Sequence, residues 1–356
     1  MLFGIMTTNF SNEQQYVTEL AKAAQQHQVE VCRFSPLQID IKTKEIQAEI
    51  WDSEKESWMN KTVPLPDFVY DRSFYGLTRE TTEITEKVNW LKKQSVFLGY
   101  GLPSKWDVYK ALKDHPLLQA FLPKTVQIET AEDMWTQLAE HERIVLKPSF
   151  GARGTGIYLL ERTDAGTNVT MTKKTETYKR LFQSKSQLNK WGDRLLQRYS
   201  YLCQPYLELA TAQNEPFDFR ILMQKDKRNQ WVEKGRGIRL GQKDHITANI
   251  ATGGLFLPIT AFLQQYRDVL PLAAEQTIHH ILRTLPEQVE ATFHRLFELG
   301  IDLGVDRSGQ VWILDINSKP GRKMIEVLYP DQYDQLYHSP ILYSQYLAHS
   351  LLKAGE

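Results

Sequence analysis

The chain has 356 residues, of which 42% are hydrophobic and 24% charged, and its Lys+Arg and Asp+Glu counts are both 43. Such a length predicts two or three subdomains, the composition is that of an ordinary globular protein and excludes a disordered one, and a net charge of zero gives no global attraction to nucleic acid or to an anionic membrane. Cys32 and Cys203, both in apolar settings, exclude a cysteine-based metal site and suit a reducing compartment.

Leu2 to Met6 reads as a strand; the start of the chain is too short and too poor in basic residues for a signal peptide. No apolar run approaches the length of a membrane span, so cytoplasmic residence is the expectation. Asn12 to Gln28 reads as an amphipathic helix and Val29 to Phe34 as the next strand. Ile46–Trp51 and Trp58–Val63 form a hairpin pattern, and Phe68–Asp71 is a short strand before a helix around Thr81 to Gln94. Strands alternating with helices predict an open α/β sheet over residues 1–100. Asp71 and Arg72 stand at a strand's C-terminal end, where such sheets bind ligands; an internal salt bridge is the competing reading.

Ser104 is a helix N-cap, opening a helix from Lys105 to about Leu112. Val126–Ile128 follows as a strand, and Thr130 caps a helix to about His141. Arg143–Pro148 is a strand with Lys147 near its end, and Ser149–Leu160 continues as a glycine-rich turn, with Gly151, Gly154 and Gly156, into a second strand. A P-loop and a dinucleotide fingerprint both need a helix after their glycines, so this pattern is neither. A glycine loop between two strands can fold over phosphates, its backbone N–H groups approaching closely while Lys147 supplies a point charge. An ordinary glycine hairpin with a surface lysine is the alternative.

Residues 161–180 read as a polar connection with Lys173 and Lys174 exposed at a hairpin tip, and no aromatic residue interleaves them as nucleic-acid binding would require. Alternation at Leu195, Gln197 and Tyr199 leads into Tyr201–Leu207. A strand that breaks at Pro205 frees backbone groups for an adenine edge, which needs an apolar slot with a donor and an acceptor. Phe217–Met223 alternates as a strand with Asp218 and Arg220 on one face, and Val232–Arg239 is its hairpin partner. Asn249–Gly254 is a backbone-rich turn of the kind that holds a substrate carboxylate. From Gln264 to Leu299 the periodicity is helical, interrupted by Pro271 and Pro286; His279 and His280, being adjacent, point to different faces and share no metal.

The most informative stretch is the last. Gly300–Asp306 passes through a Ser308-Gly309 turn into Val311–Gly321, a strand hairpin. Asp315 and Asn317 share a face, and Asp302 on the opposing strand can reach it. Oxygen ligands without sulfur or imidazole describe a hard-cation site, and Mg2+ held by a few carboxylates is typically completed by nucleotide phosphates. On these residues alone, a polar hairpin facing solvent is an equal alternative.

Lys147-Pro148 with its glycine loop, Gln204 to Glu208, Asp218-Phe219-Arg220, Asn249 to Gly254, and Asp302 with Asp315 and Asn317 occur in the order seen in ATP-grasp enzymes, which the chain resembles over roughly residues 100–350. More narrowly, Tyr70-Asp71-Arg72 and the Gly300–Asp306 wording resemble the YheC/YheD group, described as endospore coat-associated. The resemblance implies an α/β (α+β) ATP-grasp fold in which two α+β subdomains clasp ATP. Residues 1–100 would form a pre-ATP-grasp α/β domain, 101–190 the central lid with the glycine loop, and 191–356 the C-terminal subdomain with the Mg2+ site.

It further implies ATP and one or two Mg2+ ions as cofactors. Lys105, Lys147, Gly151, Gly154 and Gly156 would meet the phosphates. Gln204, Tyr206 and Leu207 would lie at the adenine hinge and Glu208 near the ribose. Arg220 would lie near the γ-phosphate, with Arg239 a second catalytic candidate, and Asp302, Asp315 and Asn317 would hold the metal. Gln204 and Asp315 both stand where the family more often has glutamate, and the shorter aspartate bears on whether one ion or two is bridged. The implied activity is an ATP- and Mg2+-dependent carboxylate–amine, or carboxylate–nucleophile, ligase working through an acylphosphate in spore envelope or coat formation. Its substrates would be a small-molecule or peptide carboxylate and a nucleophile, with spore coat proteins as candidate partners. A non-catalytic, ATP-binding scaffold is the alternative, and a kinase-like phosphoryl transferase a third.

Overall fold

Three β-sheets organise the computed structural model, which describes residues 1–74, 80–150, 156–173, 175–266 and 271–354. In the first, Leu2–Met6 pairs in parallel with Glu30–Phe34 on one side and Phe68–Asp71 on the other, and Val96–Phe97 extends it. Phe3, Ile5 and Met6 are fully buried, as expected of a parallel strand covered on both faces. The hairpin Glu45–Asp52/Ser57–Pro64 sets Trp51 opposite Trp58. Helix Gln14–Gln25 turns Tyr16, Val17, Leu20 and Ala24 inward and docks on the C-terminal helix Gln335–Ala354, where the Tyr16 hydroxyl donates to the Leu336 carbonyl at 2.9 Å.

The second sheet is antiparallel and runs Glu176–Phe182, Gly166–Lys173, Tyr158–Thr163, Arg143–Pro148, Tyr201–Pro205, Val126–Ile128. Helices Ala131–His141 and Lys185–Leu196 cover one face, burying Met134, Leu138 and Leu188 against Leu146, Leu160 and Cys203. The strand alternation leaves the opposite face to Val145, Lys147, Leu202 and Gln204.

The third sheet runs Leu255–Leu257, Trp231–Leu240, Phe217–Lys225, Glu298–Val305, Val311–Asn317. Along Phe217–Lys225, the odd residues Phe219, Ile221 and Met223 pack into a core with helix Leu272–Phe293 and with Val108 and Leu112 of helix Lys105–Leu112. The even residues Asp218 and Arg220 therefore share the other face. Register then lines up Arg220, Asp302 and Asp315 across three strands, with Arg239 opposite Asp218 beside them. Alternation in sequence becomes one charged band on one face.

Several expectations are corrected. Residues 161–180 are not a polar connection but mostly two strands of the second sheet, because threonine-rich segments suit strands with one half-buried face. Residues 195–199 end a helix and form a turn; the strand starts at Tyr201. The helical span from Gln264 is two helices, Ile259–Gln265 and Leu272–Phe293: Pro271 is the second one's N-cap, and Pro286 lies inside it without ending it. Glu298–Leu299 already belongs to a strand. The boundary expected at residue 190 falls inside helix Lys185–Leu196, and the central sheet takes in Tyr201–Pro205.

Candidate active site

A cleft of about 60 Å3 opens between the second and third sheets. Leu202 and Gln204 enter it from the second sheet, Val108 and Leu112 from helix Lys105–Leu112, and Ile313 to Ile316 from the C-terminal hairpin. Much of the wall is thus apolar, as a nucleobase slot requires, and Lys105, Lys147 and Asp315 stand in the same cleft.

Lys105 is positioned by the start of its helix. The Ser104 hydroxyl accepts from the Asp107 amide, and the Lys105 amide donates to the Ser149 carbonyl at 3.3 Å, tying this helix to the root of the glycine loop. The Lys105 ammonium donates to Asp315 Oδ1. Lys147 differs. It makes no ion pair among the described residues, and burial together with the neighbouring Lys105 ammonium pushes its pKa down to about 8, against the pull of Asp315, Asp302 and Asp218. Ser149, only 4% exposed, has a hydroxyl without a hydrogen-bond partner among the described residues. A half-buried ammonium that makes no ion pair among the described residues is suited to an anion. Gly151 and Gly154 lie outside the described residues. Gly156 has φ +75° and closes the turn where a Cβ would meet Pro148 Cγ at 3.1 Å and the Tyr201 hydroxyl at 3.2 Å.

Asp302 is directly opposite Asp315. Its Oδ1 accepts from Arg220 Nη1 at 2.6 Å and its Oδ2 from Arg239 Nη2 at 2.7 Å. Arg239 also grips Asp218 through Nε at 2.6 Å and Nη2 at 2.8 Å. Burial opposes the Asp302 charge, yet the two guanidiniums hold its carboxyl well below the usual range. Burial pushes the Asp218 carboxyl up, with the Asp302 charge adding to it, against the pull of Arg239. Asn317 donates to the Gly300 carbonyl at 3.3 Å. A Cβ on Gly300 would come within 2.8 Å of Arg220 Nη2 and 2.9 Å of Asn317 Nδ2, so glycine there lets the two side chains meet.

Two carboxylates and an amide on adjoining strands are the donor set of a hard cation. Asp302, Asp315 and Asn317 are of that type, and among the described residues no three His, Cys, Asp or Glu cluster as a metal site. The cations now paired with the two carboxylates are the ones expected on phosphate.

Gln204 lines the cleft and donates to Thr125 Oγ1 at 2.8 Å, so its amide is anchored from beneath. Tyr206 and Glu208 turn toward Arg143: the guanidinium lies 3.9 Å over the Tyr206 ring and 3.6 Å from Glu208, which also meets Arg307 at 3.5 Å. The Leu207 carbonyl accepts from the Leu209 amide at 2.9 Å. The sequence reading had no role for Ser149 or Thr125; single hydroxyls carry no periodic signal.

A second charged cluster joins the first sheet to the third. Arg72 donates to Glu298 at 2.5 Å, to Glu13 at 2.9 Å and to the Pro320 carbonyl at 2.9 Å. Arg322 joins Glu13 at 2.8 Å, Glu298 at 3.2 Å and the Tyr70 hydroxyl. Arg72 is therefore an internal ion pair, while Asp71 pairs with Lys319 at 2.7 Å. Through Pro320, the cluster holds the segment that follows Asn317.

The family model described as YheC/D like ATP-grasp matches residues 94–347. The chain is 32% identical over 346 residues to the endospore coat-associated protein YheC of Bacillus subtilis (strain 168), covering 97% of this chain and 95% of that one. It is 27% identical over 283 residues to YheD of the same organism, covering 76% of this chain and 60% of the relative. Among solved structures, D-alanyl-alanine synthetase A from Vibrio cholerae shares the fold at a TM-score of 0.52 and 13% identity, over 98% of this chain and 99% of the other. The chain belongs to the YheC/D-like ATP-grasp family.

Proposed function

We propose that the protein is an ATP- and Mg2+-dependent ligase that activates a carboxylate as an acylphosphate and joins it to an amine or another nucleophile. The observation that carries this reading is Lys147, a half-buried ammonium that makes no ion pair among the described residues and stands with Lys105 and Asp315 in a cleft with a largely apolar wall. An anion must complete it, and a nucleotide triphosphate beside a base slot is the anion that suits both halves.

Lys105 and Lys147 would bind the phosphates, with Ser149 donating a hydrogen bond. Asp302, Asp315 and Asn317 would hold Mg2+, which supplies positive charge at the phosphate oxygens. Arg220 and Arg239, on leaving Asp302, would face the transferring phosphoryl group; a guanidinium remains charged at every working pH. An acceptor carboxylate oxygen attacks the γ-phosphorus, the bond to the β-phosphate oxygen breaks, and ADP leaves. The nucleophile then attacks the acyl carbon, phosphate departs, and the amine proton passes to solvent or phosphate. Positioning and charge neutralisation do most of the work in such chemistry.

The coat-associated name of the 32%-identical relative supports a second reading, a nucleotide-binding scaffold of the spore envelope that catalyses nothing. Acceptor-dependent ADP formation separates the two. A screen of amino acids, peptides and dicarboxylates with mass analysis of products tests the ligase reading; nucleotide binding without turnover across the screen would favour the scaffold.

A further inference from the structure

Of the three residues read as metal ligands, Asn317 is the least firmly held by its own sheet. Asp302 is gripped by Arg220 and Arg239, and Asp315 by Lys105. Among the described residues the Asn317 side chain makes a single long bond, to the Gly300 carbonyl at 3.3 Å. Asn317 is also the last paired residue of strand Val311–Asn317, opposite Gly300. Past it the chain leaves the ladder, so what fixes Asn317 must come from the segment that follows.

That segment is tied at three consecutive residues to the first sheet and the chain just beyond it. The Ser318 hydroxyl accepts from the Leu102 amide at 2.9 Å. The Lys319 ammonium donates to Asp71 Oδ2 and to the Ser73 carbonyl, each at 2.7 Å. The Pro320 carbonyl accepts from Arg72 Nη2 at 2.9 Å. The holding groups are themselves fixed: Asp71 Oδ1 accepts from the Ser73 amide at 2.9 Å, and buried Arg72 is anchored on Glu298 and Glu13. Pro320 lies against Gly300, where a Cβ would come within 2.8 Å of Pro320 Cβ and 2.9 Å of Asn317 Nδ2. With both side chains packed on one glycine, Pro320 cannot shift without disturbing Asn317.

We propose that Asp71, Arg72 and Ser73, at the end of strand Phe68–Asp71, are positioning residues for the metal site: by fixing Ser318 to Pro320 they set where the Asn317 amide oxygen stands. This rests on the reading of Asn317 as a Mg2+ ligand. It gives the Tyr70-Asp71-Arg72 run a part in the nucleotide chemistry without contact with the nucleotide. It also couples the first sheet to the ion, since a movement of Asp71 to Ser73 moves one of the ion's ligands.

An ordinary interdomain ion pair would stabilise the fold and leave the metal alone, and the sign of one variant separates the two roles. Lys319→Met removes a cation two residues from Asn317, so charge alone would tighten Mn2+ binding, whereas a loosened Asn317 weakens it. In the full chain with a non-hydrolysable ATP analogue bound, electron paramagnetic resonance titration should show Mn2+ binding about tenfold more weakly to Lys319→Met than to the wild type, as when a ligand's supporting contact is lost. Affinity for the analogue without metal should stay within about twofold. In the Asn317→Ala background the same substitution should cost no more than about twofold, because two changes acting through one group do not add. Ser318→Ala, which removes the tie to Leu102, should weaken Mn2+ binding about threefold, and Ser318→Thr should restore it. Tighter or unchanged Mn2+ binding in Lys319→Met would overturn the proposal, as would the full loss repeated in the Asn317→Ala background. Should Lys319→Met not fold, as its melting curve would show, the Ser318 pair decides, and equal Mn2+ affinity in Ser318→Ala and the wild type overturns it. If Asn317→Ala alone binds Mn2+ as the wild type does, the metal assignment falls and the proposal with it; a loss there with none in the Lys319 and Ser318 variants sinks the proposal and leaves the assignment standing.

Discussion

Asp302 and Asp315 face each other as cross-strand partners, and each is already held by a cation, Asp302 by Arg220 and Arg239 and Asp315 by Lys105. The groups suited to phosphate are thus bonded to the groups suited to metal. Neither ligand can enter without displacing an ion pair, unless both arrive together and exchange partners.

Free divalent cation should therefore bind weakly, and nucleotide should strengthen its binding. Lys105→Met frees Asp315, so Mn2+ alone should bind more tightly to this variant than to the wild type while the nucleotide binds more weakly. Electron paramagnetic resonance of Mn2+ with and without nucleotide reads both effects. Equal or weaker binding of Mn2+ alone in Lys105→Met would refute the exchange.

Asp315→Ala and Asn317→Ala should each lower the affinity for Mg2+-nucleotide by at least about tenfold. Both side chains are partly exposed on a strand whose apolar partners stay in place, so circular dichroism and melting should change little. Unchanged calorimetric affinity in both variants would count heavily against this metal site.

If Lys147 binds the nucleotide as proposed, nucleotide affinity should depend on pH. Its pKa, near 10.5 for an ordinary lysine, is pushed down to about 8, and phosphate binds the ammonium form. Affinity should hold below neutrality and fall as pH rises through about 8. Lys147→Met should bind roughly 10- to 100-fold more weakly, the loss of a charge-assisted bond, and should lack this titration. Linkage gives the opposite sign for the ligand-free fold. Between about 8 and 10.5 the unfolded chain holds a proton that the native site has released, so this residue's contribution to stability rises with pH there. Isothermal titration and denaturation across pH measure the two slopes.

Glu298, 2% exposed, is the carboxylate on which Arg72 and Arg322 converge. Glu298→Gln leaves two buried guanidiniums short of a counter-charge and should cost about 3–5 kcal/mol in urea denaturation. Glu13 titrates through the same cluster. Burial opposes its charge, but Arg72 and Arg322 outweigh that and lower its pKa from 4.5 to about 2. Its contribution is fully present above pH 4.5 and is lost as pH falls toward 2. Glu13→Gln should flatten acid denaturation in that window; an unaltered acid limb would show that Glu13 does not carry it.

The arrangement of strands and helices was largely legible before folding was considered. Strands at Leu2–Met6 and Phe68–Asp71, the caps at Ser104 and Thr130, and the alternation of Asp218 with Arg220 are local signals with periods of two to four residues, and the structure keeps them. Weak local signals misled. Polar Thr-rich strands looked like a connection, and a proline tolerated inside a packed helix looked like its end.

Local pattern could nominate Lys147, Asp302 and Asp315 but could not say who their neighbours are. Lys105 meets Asp315 across 210 residues and Arg72 meets Glu298 across 226, and such contacts exist only once the sheets have packed. The same holds for what is missing: that Lys147 makes no ion pair among the described residues, and that the Ser149 hydroxyl has no hydrogen-bond partner among them, is decided by what folding brings near them and what it leaves out. Residue type and spacing set which groups can bind; desolvation, a property of the packed whole, sets which of them still need a ligand.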